Sequence, residues 1–210
     1  MLYEARSYRL HPGKLPEYLA LLTGEEGVLD ILRPHLCGFW YAESGTLNTV
    51  HHLWAYESRA ARAAVRAANA GNAVMPPFVG KVTPLLQFQT SRLMAGTVGK
   101  GDSDRSGGVY DRVTLAFRSG ARAGGCERLF ETLRGVLLSH FEGVAWLRGA
   151  AFELAGPPRD GLFVLRSASL DERDRNWAEV AATLHEFDAE GVLASVDSEL
   201  MLPAAFSPWR

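Results

Sequence analysis

The stretch GFWYAESGTLNTVHHLWAYE, Gly38 to Glu57, reads as two strands joined by a short polar connection. GFWYAE and NTVHHLWAYE are rich in strand-favouring aromatic and β-branched residues, and SGTLN between them contains Gly45, so the pair predicts a β-hairpin. Side chains alternate along a strand. Phe39 and Tyr41 therefore face one way and Trp40 the other, Leu53 opposes Trp54, and His51 and His52 point to opposite faces. Only one of the two histidines can look into a given cavity.

Upstream, LYEARSYRL (residues 2–10) suits a strand and HPGK punctuates it as a turn. Next, LPEYLALLTGEEGVLDILRPHL spaces Leu15, Leu19 and Leu22 and, after a break at Gly24, Val28, Leu29 and Leu32 as one face of an interrupted amphipathic helix that Pro34 ends. Downstream of the hairpin, SRAARAAVRAAN offers Ser58 as an N-cap and then alanine and arginine, both strong helix formers, as far as Asn69. PLLQFQTSRLM (84–94) closes the unit as a strand. The order β-α-β-β-α-β is the ferredoxin-like split unit.

From Val109 the layout starts again. VYDRVTLAF is a strand, CERLFETLRGVLLSHF a helix, WLRGAAFELA and GLFVLRSAS a second hairpin around GPPRD, LDERDRNWAEVAATLHEF a helix and SVDSELML a last strand. A separation near 107 residues brings Tyr3 onto Tyr110 and Arg6 onto Val113. Between the halves, AGTVGKGDSDRSGG lacks apolar periodicity and reads as a linker. The expected organisation is one ferredoxin-like domain over residues 1–95, a linker over 96–108 and a diverged second domain over 109–210. A four-stranded sheet of this kind covers one face with its helices. Since both faces of the hairpin are apolar, the open faces of the two sheets should pack on each other. The fold class is therefore α+β, a pseudo-dimeric α+β barrel of tandem ferredoxin-like repeats.

Composition excludes several function classes. The formal net charge is −2, with 9 Lys/Arg against 7 Asp/Glu in residues 1–95 and 13 against 17 in 96–210, and no basic run marks a nucleic-acid footprint. Cys37 and Cys126 are the only cysteines, too few and too far apart for a zinc cluster or a disulfide scaffold. No apolar leader opens the chain and no run is long enough to span a bilayer, so a cytoplasmic protein without a membrane span is expected. No metal and no cofactor is expected. Phosphate-loop, dinucleotide, zinc-protease and nucleophile-elbow motifs are all missing from the sequence.

YEARSYRLHPGKLPEYLALL, CGFWYAESGTLNTVHHLWAYESRAAR and PLLQFQTSRLM, taken in that order over residues 2 to 94, resemble the NIPSNAP family. The family carries a YELRxYxLxPGK-like opening and a GxWxxExGxLNxVxHLWxYxSxxxR-like centre. The resemblance implies the dimeric α+β barrel superfamily, which includes cofactor-free monooxygenases acting on aromatic polyketides, lactone isomerases and haem enzymes. NIPSNAP proteins of animals are associated with trafficking and mitochondrial signalling. The second half resembles the family in layout only, with FVLRSASL where the first half has HHLWAYES. The functional site is therefore expected in the first half.

The family pattern keeps the position of His52, and a neutral imidazole there suits a general base or a group that orients a carbonyl; the bland reading is a strand histidine satisfied by a neighbour. Arg33 and His35, between helix and strand, are candidates to hold an anion beside it, against a reading as loop polarity. Trp40, Tyr41, Trp54 and Tyr56 suit the wall of a pocket for a flat apolar or aromatic ligand, or the packing of a core. Glu43 flanks the hairpin turn as a further candidate contact, and Asn48 supports the turn. In the second half Trp146, Arg148, Glu153 and Arg166 occupy the matching hairpin, and His140 or His185, each on a helix, could serve as a haem ligand, against a reading as surface or core histidines.

The function expected is cofactor-independent proton-transfer chemistry on a small apolar or aromatic metabolite, as a cyclase, isomerase or monooxygenase. The alternative is a ligand-binding or protein-interaction role without chemistry. A small-molecule ligand is the expected partner, and exposed sheet edges allow association into a homodimer.

Overall fold

The computed structural model describes residues 1–99, 107–118, 123–149, 160–189 and 191–209. The first half runs β1 (Leu2–Leu10), α1 (Leu15–Gly24), α2 (Val28–Leu32), a 3-10 turn Arg33–His35, β2 (Leu36–Ala42), β3 (Thr49–Tyr56), α3 (Arg59–Ala70), α4 (Met75–Val82) and β4 (Leu86–Val98). The second runs β5 (Val109–Phe117), α5 (Ala123–His140), β6 (Glu142–Gly149), β7 (Asp160–Ser167), α6 (Leu170–Ala189) and β8 (Leu193–Pro203).

The strands close into one barrel in the order β1-β3-β2-β8-β5-β7-β6-β4. Each half contributes a ferredoxin-like sheet, and every pairing is antiparallel. Two seams join the halves: Trp40 pairs with Pro203 and Ala42 with Met201 along β2 and β8, and Met94 pairs with Gly149 through Val98 with Ala145 along β4 and β6. The apolar faces that a single sheet would expose thus line the inside of the barrel, where Tyr3, Trp40, Leu53, Tyr110 and Met201 are buried together. After β8 the tail folds back over one end. Ala204 donates its N–H to the Phe39 carbonyl, the Phe39 N–H donates to Ser207 Oγ at 2.9 Å, and the Trp209 ring lies 5.7 Å from that of Trp40.

The break in the first helix falls where glycine allows it, with Gly27 at φ +79° between α1 and α2. Three elements differ from the sequence reading. The helix α4 was not anticipated; Pro76 and Pro77 occupy its first turn, where a proline loses no helical hydrogen bond. The strand β4 runs past Met94 to Val98, so the first residues of the expected linker are sheet, held there by β6. The strand expected over Trp146–Ala155 begins earlier, at Glu142; its residues 150–155 and most of the GPPRD turn lie outside the described residues.

Helices α1, α2 and α4 bury Tyr18, Leu22, Val28 and Phe78 against Phe39, Val50 and Trp54 of the sheet. Each such side chain contributes about 1.5–3 kcal/mol. By contrast, α3 buries no residue, although Ser58 caps it by accepting the Ala61 N–H at 3.1 Å. Gly38 faces the barrel directly under the Trp40 indole, so a Cβ there would overlap a ring that is fully buried. Gly38→Ala should cost about 1–3 kcal/mol through overpacking. Urea denaturation measures it, and an unchanged midpoint would mean that the indole can swing aside.

Candidate functional site

On the helix-facing side of β1 the two-residue period lines up Glu4, Arg6 and Tyr8, and on β3 it lines up Val50, His52, Trp54 and Tyr56. Glu4 is fully buried and carries the largest cluster of charged contacts in this half. Arg62 of α3 donates to both its oxygens at 2.8 and 2.6 Å, Arg6 Nε donates at 2.9 Å, and Ser91 Oγ donates at 2.5 Å. Arg66, one turn further along α3, stands 3.9 Å from the same carboxylate. Burial alone would raise the Glu4 pKa, but the hydrogen bonds from Arg62, Ser91 and Arg6 outweigh it and hold it at about 2. These ionic contacts tie α3 to the sheet together with Val65, which packs partly buried on the helix-side core.

Beside this cluster a cavity of about 460 Å³ opens between the sheet and the helices. Trp54, Tyr56 and Arg6 come from the sheet, Arg66 and Asn69 from α3, and Met75 and Val79 from α4. Directly behind the wall lies His52, 4 % exposed, whose Nδ1 accepts the Trp54 Nε1–H at 2.6 Å. An indole can only donate, so His52 is the tautomer with its proton on Nε2. Its ring stacks on Phe39 at 5.2 Å and meets the edge of Tyr8 at 4.6 Å. Burial first, and then the Arg6 charge, push its pKa well below the usual value, so it is neutral. His52 thus sets the orientation of the Trp54 indole.

The other residues singled out from the sequence are dispersed. Tyr56 lines the cavity and is backed by His35, whose ring stacks on it at 5.2 Å while Nδ1 donates to the Ala55 carbonyl at 3.3 Å. Arg33 is 57 % exposed, pairs with Asp30 at 3.7 Å and belongs to a different, larger cavity. That second space, about 900 Å³, lies at the barrel mouth among Tyr3, Cys37, Phe206 and Trp209. Burial pushes the Cys37 thiol up to about 12, so it stays protonated at neutral pH. Trp40 is inside the barrel because alternation places it opposite Phe39; Tyr41 packs on the helix-side core, and Glu43 is exposed where β2 turns away from β8. Asn48 holds φ +59° at the end of the hairpin connection, the turn role expected of it.

Inside the barrel, His51 completes a group that sequence spacing could not have assembled. Ser7 Oγ lies 2.8 Å from His51 Nδ1, His51 Nε2 lies 3.4 Å from Glu199 Oε2, and Arg112 donates to the same oxygen at 3.1 Å. The order Ser-His-acid is that of an activated nucleophile, but the space beside it measures about 20 Å³, enough for one water and for no substrate. Ser7 and His51 come from the first half, Arg112 and Glu199 from the second. Burial first and Arg112 second hold His51 down at about 3. The group is a polar joint between the repeats.

The second half repeats the clamp, and its described helix-side core is packed with aromatic and aliphatic side chains. Asp111 takes the place of Glu4 and receives Arg173 Nε and Nη2 at 3.0 and 2.8 Å, while Ser169 caps α6 as Ser58 caps α3. Phe130, Leu133 and Leu137 of α5 fill the space over Phe163 and Leu165. Arg148 pairs with Glu127, Arg166 with Glu142 at 2.7 Å, and Trp146 lies under the Arg134 guanidinium at 4.8 Å. Glu153 lies outside the described residues. His140 pairs with Glu179 at 3.3 Å, and His185 is exposed on α6. Among the described residues no group of three or more His, Cys, Asp and Glu is placed to hold a metal ion, and no helix is long and apolar enough to cross a membrane.

Two ferredoxin-like repeats closed into one eight-stranded barrel, with a helix–sheet cavity in the first repeat, define a pseudo-dimeric α+β barrel protein. A solved anthrone oxidase-like protein shares that fold over 100 % of this chain and 94 % of its own, at a TM-score of 0.57 and 14 % identity. The chain belongs to the NIPSNAP family, whose model matches residues 3–98. It is 36 % identical to a NIPSNAP domain protein of Burkholderia xenovorans, covering 46 % of this chain and 95 % of that one, with a TM-score of 0.43. It is 34 % identical over 93 residues to the NipSnap homolog 2 of Danio rerio, 44 % of this chain. The chain spans about a third of the length of the curated relatives it matches, 32 % in that case.

Proposed function

We propose that this NIPSNAP protein binds a small, largely apolar or aromatic metabolite in the helix–sheet cavity of its first half. The observation that carries this reading is the cavity itself, about 460 Å³ and walled by Trp54, Tyr56, Leu32, Met75 and Val79, within the range of small-molecule sites. The polar groups on its wall are two guanidiniums, a phenol, an amide and the Trp54 indole, with no carboxylate or imidazole among them. Binding without proton transfer therefore fits better than the cyclase, isomerase or monooxygenase chemistry that the sequence suggested. A catalytic reading has one observation behind it: the Trp54 indole on the cavity wall is hydrogen-bonded to neutral His52.

The neutral planar fluorophore 1-aminoanthracene tests the binding reading. A saturable, single-site fluorescence increase is expected, lost in Ala70→Trp, where the new indole fills the cavity from the end of α3. The absence of saturable binding, or binding that survives Ala70→Trp, would sink the assignment. Turnover of any ligand so identified, abolished in His52→Gln with ligand affinity retained, would instead support the catalytic reading.

A further inference from the structure

The cavity on the helix side of the first sheet carries a surplus of positive charge. The charges acting on the Tyr56 hydroxyl at its wall are one carboxylate, Glu4, and three guanidiniums, Arg6, Arg62 and Arg66. Arg62 is committed to Glu4 through two hydrogen bonds, so these two charges cancel. A net charge of two guanidiniums remains: Arg66 and Arg6 both line the cavity, Arg6 also donating from Nε to Glu4 at 2.9 Å and from Nη1 to Tyr8 at 3.0 Å. Arg66 is held only loosely, at 3.9 Å from Glu4 and 53 % exposed, while Arg6 is more deeply placed at 19 %. Helix α3 itself supplies no acid, its sequence being RAARAAVRAANA.

The second repeat acts as an internal control. The caps Ser58 and Ser169 and the clamps Arg62–Glu4 and Arg173–Asp111 align the two helices, which sets Arg66 against Trp177. On the sheet, Tyr3 against Tyr110 and Glu4 against Asp111 set Arg6 against Val113. Both replacements are apolar and both pack in the core of the second half, Trp177 on Phe141 at 5.2 Å. The clamp there carries surplus negative charge instead, because Arg173 also pairs with Asp174. The clamp that holds the helix is thus common to both repeats. The two extra arginines line the first-half cavity, and their counterparts in the second repeat are apolar.

From this correlation we infer that the ligand of the first-half cavity is an organic carboxylate, its carboxyl group taken by Arg66 and Arg6 and its flat apolar body laid against Trp54, Tyr56 and Met75. The inference rests on the binding reading above and adds the charge of the ligand to it. A guanidinium matches a carboxylate in planar, two-point geometry, which a lysine ammonium does not. With the anion bound, three guanidiniums face two carboxylates rather than one.

Isothermal titration calorimetry with 2-naphthoate and with neutral 2-naphthalenemethanol separates the two layers of the claim. On the intact protein at pH 7 and low salt, naphthoate should bind at least about tenfold more tightly than the alcohol, as a charged hydrogen bond in a partly buried site implies. The preference should shrink as salt is raised. In Arg66→Gln the ratio of the two affinities should fall toward one, and Arg66→Lys should restore only part of it. Alcohol binding that equals or exceeds naphthoate binding would overturn the inference and leave the binding reading standing. Failure of both probes to bind would remove both.

Discussion

Glu4→Gln should lower the unfolding free energy by about 3 kcal/mol, the low end of what breaking a buried ion pair costs, because Arg62 and Arg6 keep some access to solvent. Glutamine keeps the shape but removes the charge that one serine and three arginines converge on. Since α3 buries no side chain of its own, its amides should be the first to lose hydrogen-exchange protection in the variant. Asp111→Asn should cost far less, because burial outweighs the Arg173 pair there and α6 also buries Val180. A Glu4→Gln protein within 0.5 kcal/mol of the parent (about the size of an ordinary surface substitution) would show that the cluster is dispensable.

The second large effect is acid lability. His51 and His52 are 5 % and 4 % exposed, and both have pKa values lowered by burial, His51 to about 3. In the unfolded chain each takes up a proton near pH 6.5. Between that value and about 3 the unfolded state binds protons that the folded state refuses, so stability is present at neutral pH and falls as pH drops through this window. With both sites engaged the slope approaches about 2.7 kcal/mol per pH unit. Glu4, lowered to about 2, adds to the loss at still lower pH, because its contribution disappears as pH falls from its unfolded value through its folded one. Asp111 acts oppositely: burial raises it despite Arg173, so protonation there favours the folded state. Urea midpoints from pH 7 to pH 5 measure the sum. A flat profile would mean that the two imidazoles are not shielded as the fold implies.

Much of this architecture was legible in the sequence because it depends on local period. Phe39, Trp40 and Tyr41 show both faces of a strand at once, and that alone demanded a second sheet inside the first. The repeat offset that matched Tyr3 with Tyr110 also matches Glu4 with Asp111, a pair whose meaning appears only when Arg62 and Arg173 arrive from helices more than fifty residues away. Trp54 and Tyr56 were identifiable as wall residues by composition. His52 was not readable as their support, since its neighbours Tyr8 and Phe39 come from two other strands. Arg66 could have been found from its four-residue spacing to Arg62 on a helix without acids. The Ser7, His51, Arg112 and Glu199 joint had no signal, because its members meet only through barrel closure. The helix α4 went unassigned, although Pro76 and Pro77 suit its first turn.

The seams at Trp40–Pro203 and Val98–Ala145 have a thermodynamic consequence as well as a geometric one. Two ferredoxin-like units meeting by diffusion would form a barrel whose population falls on dilution. Here both units are carried on one chain, and each feels the other at an effective concentration that tethering holds in the millimolar range. Barrel closure becomes a first-order event, independent of how much protein the solution contains. The second repeat is therefore a partner that dilution cannot remove.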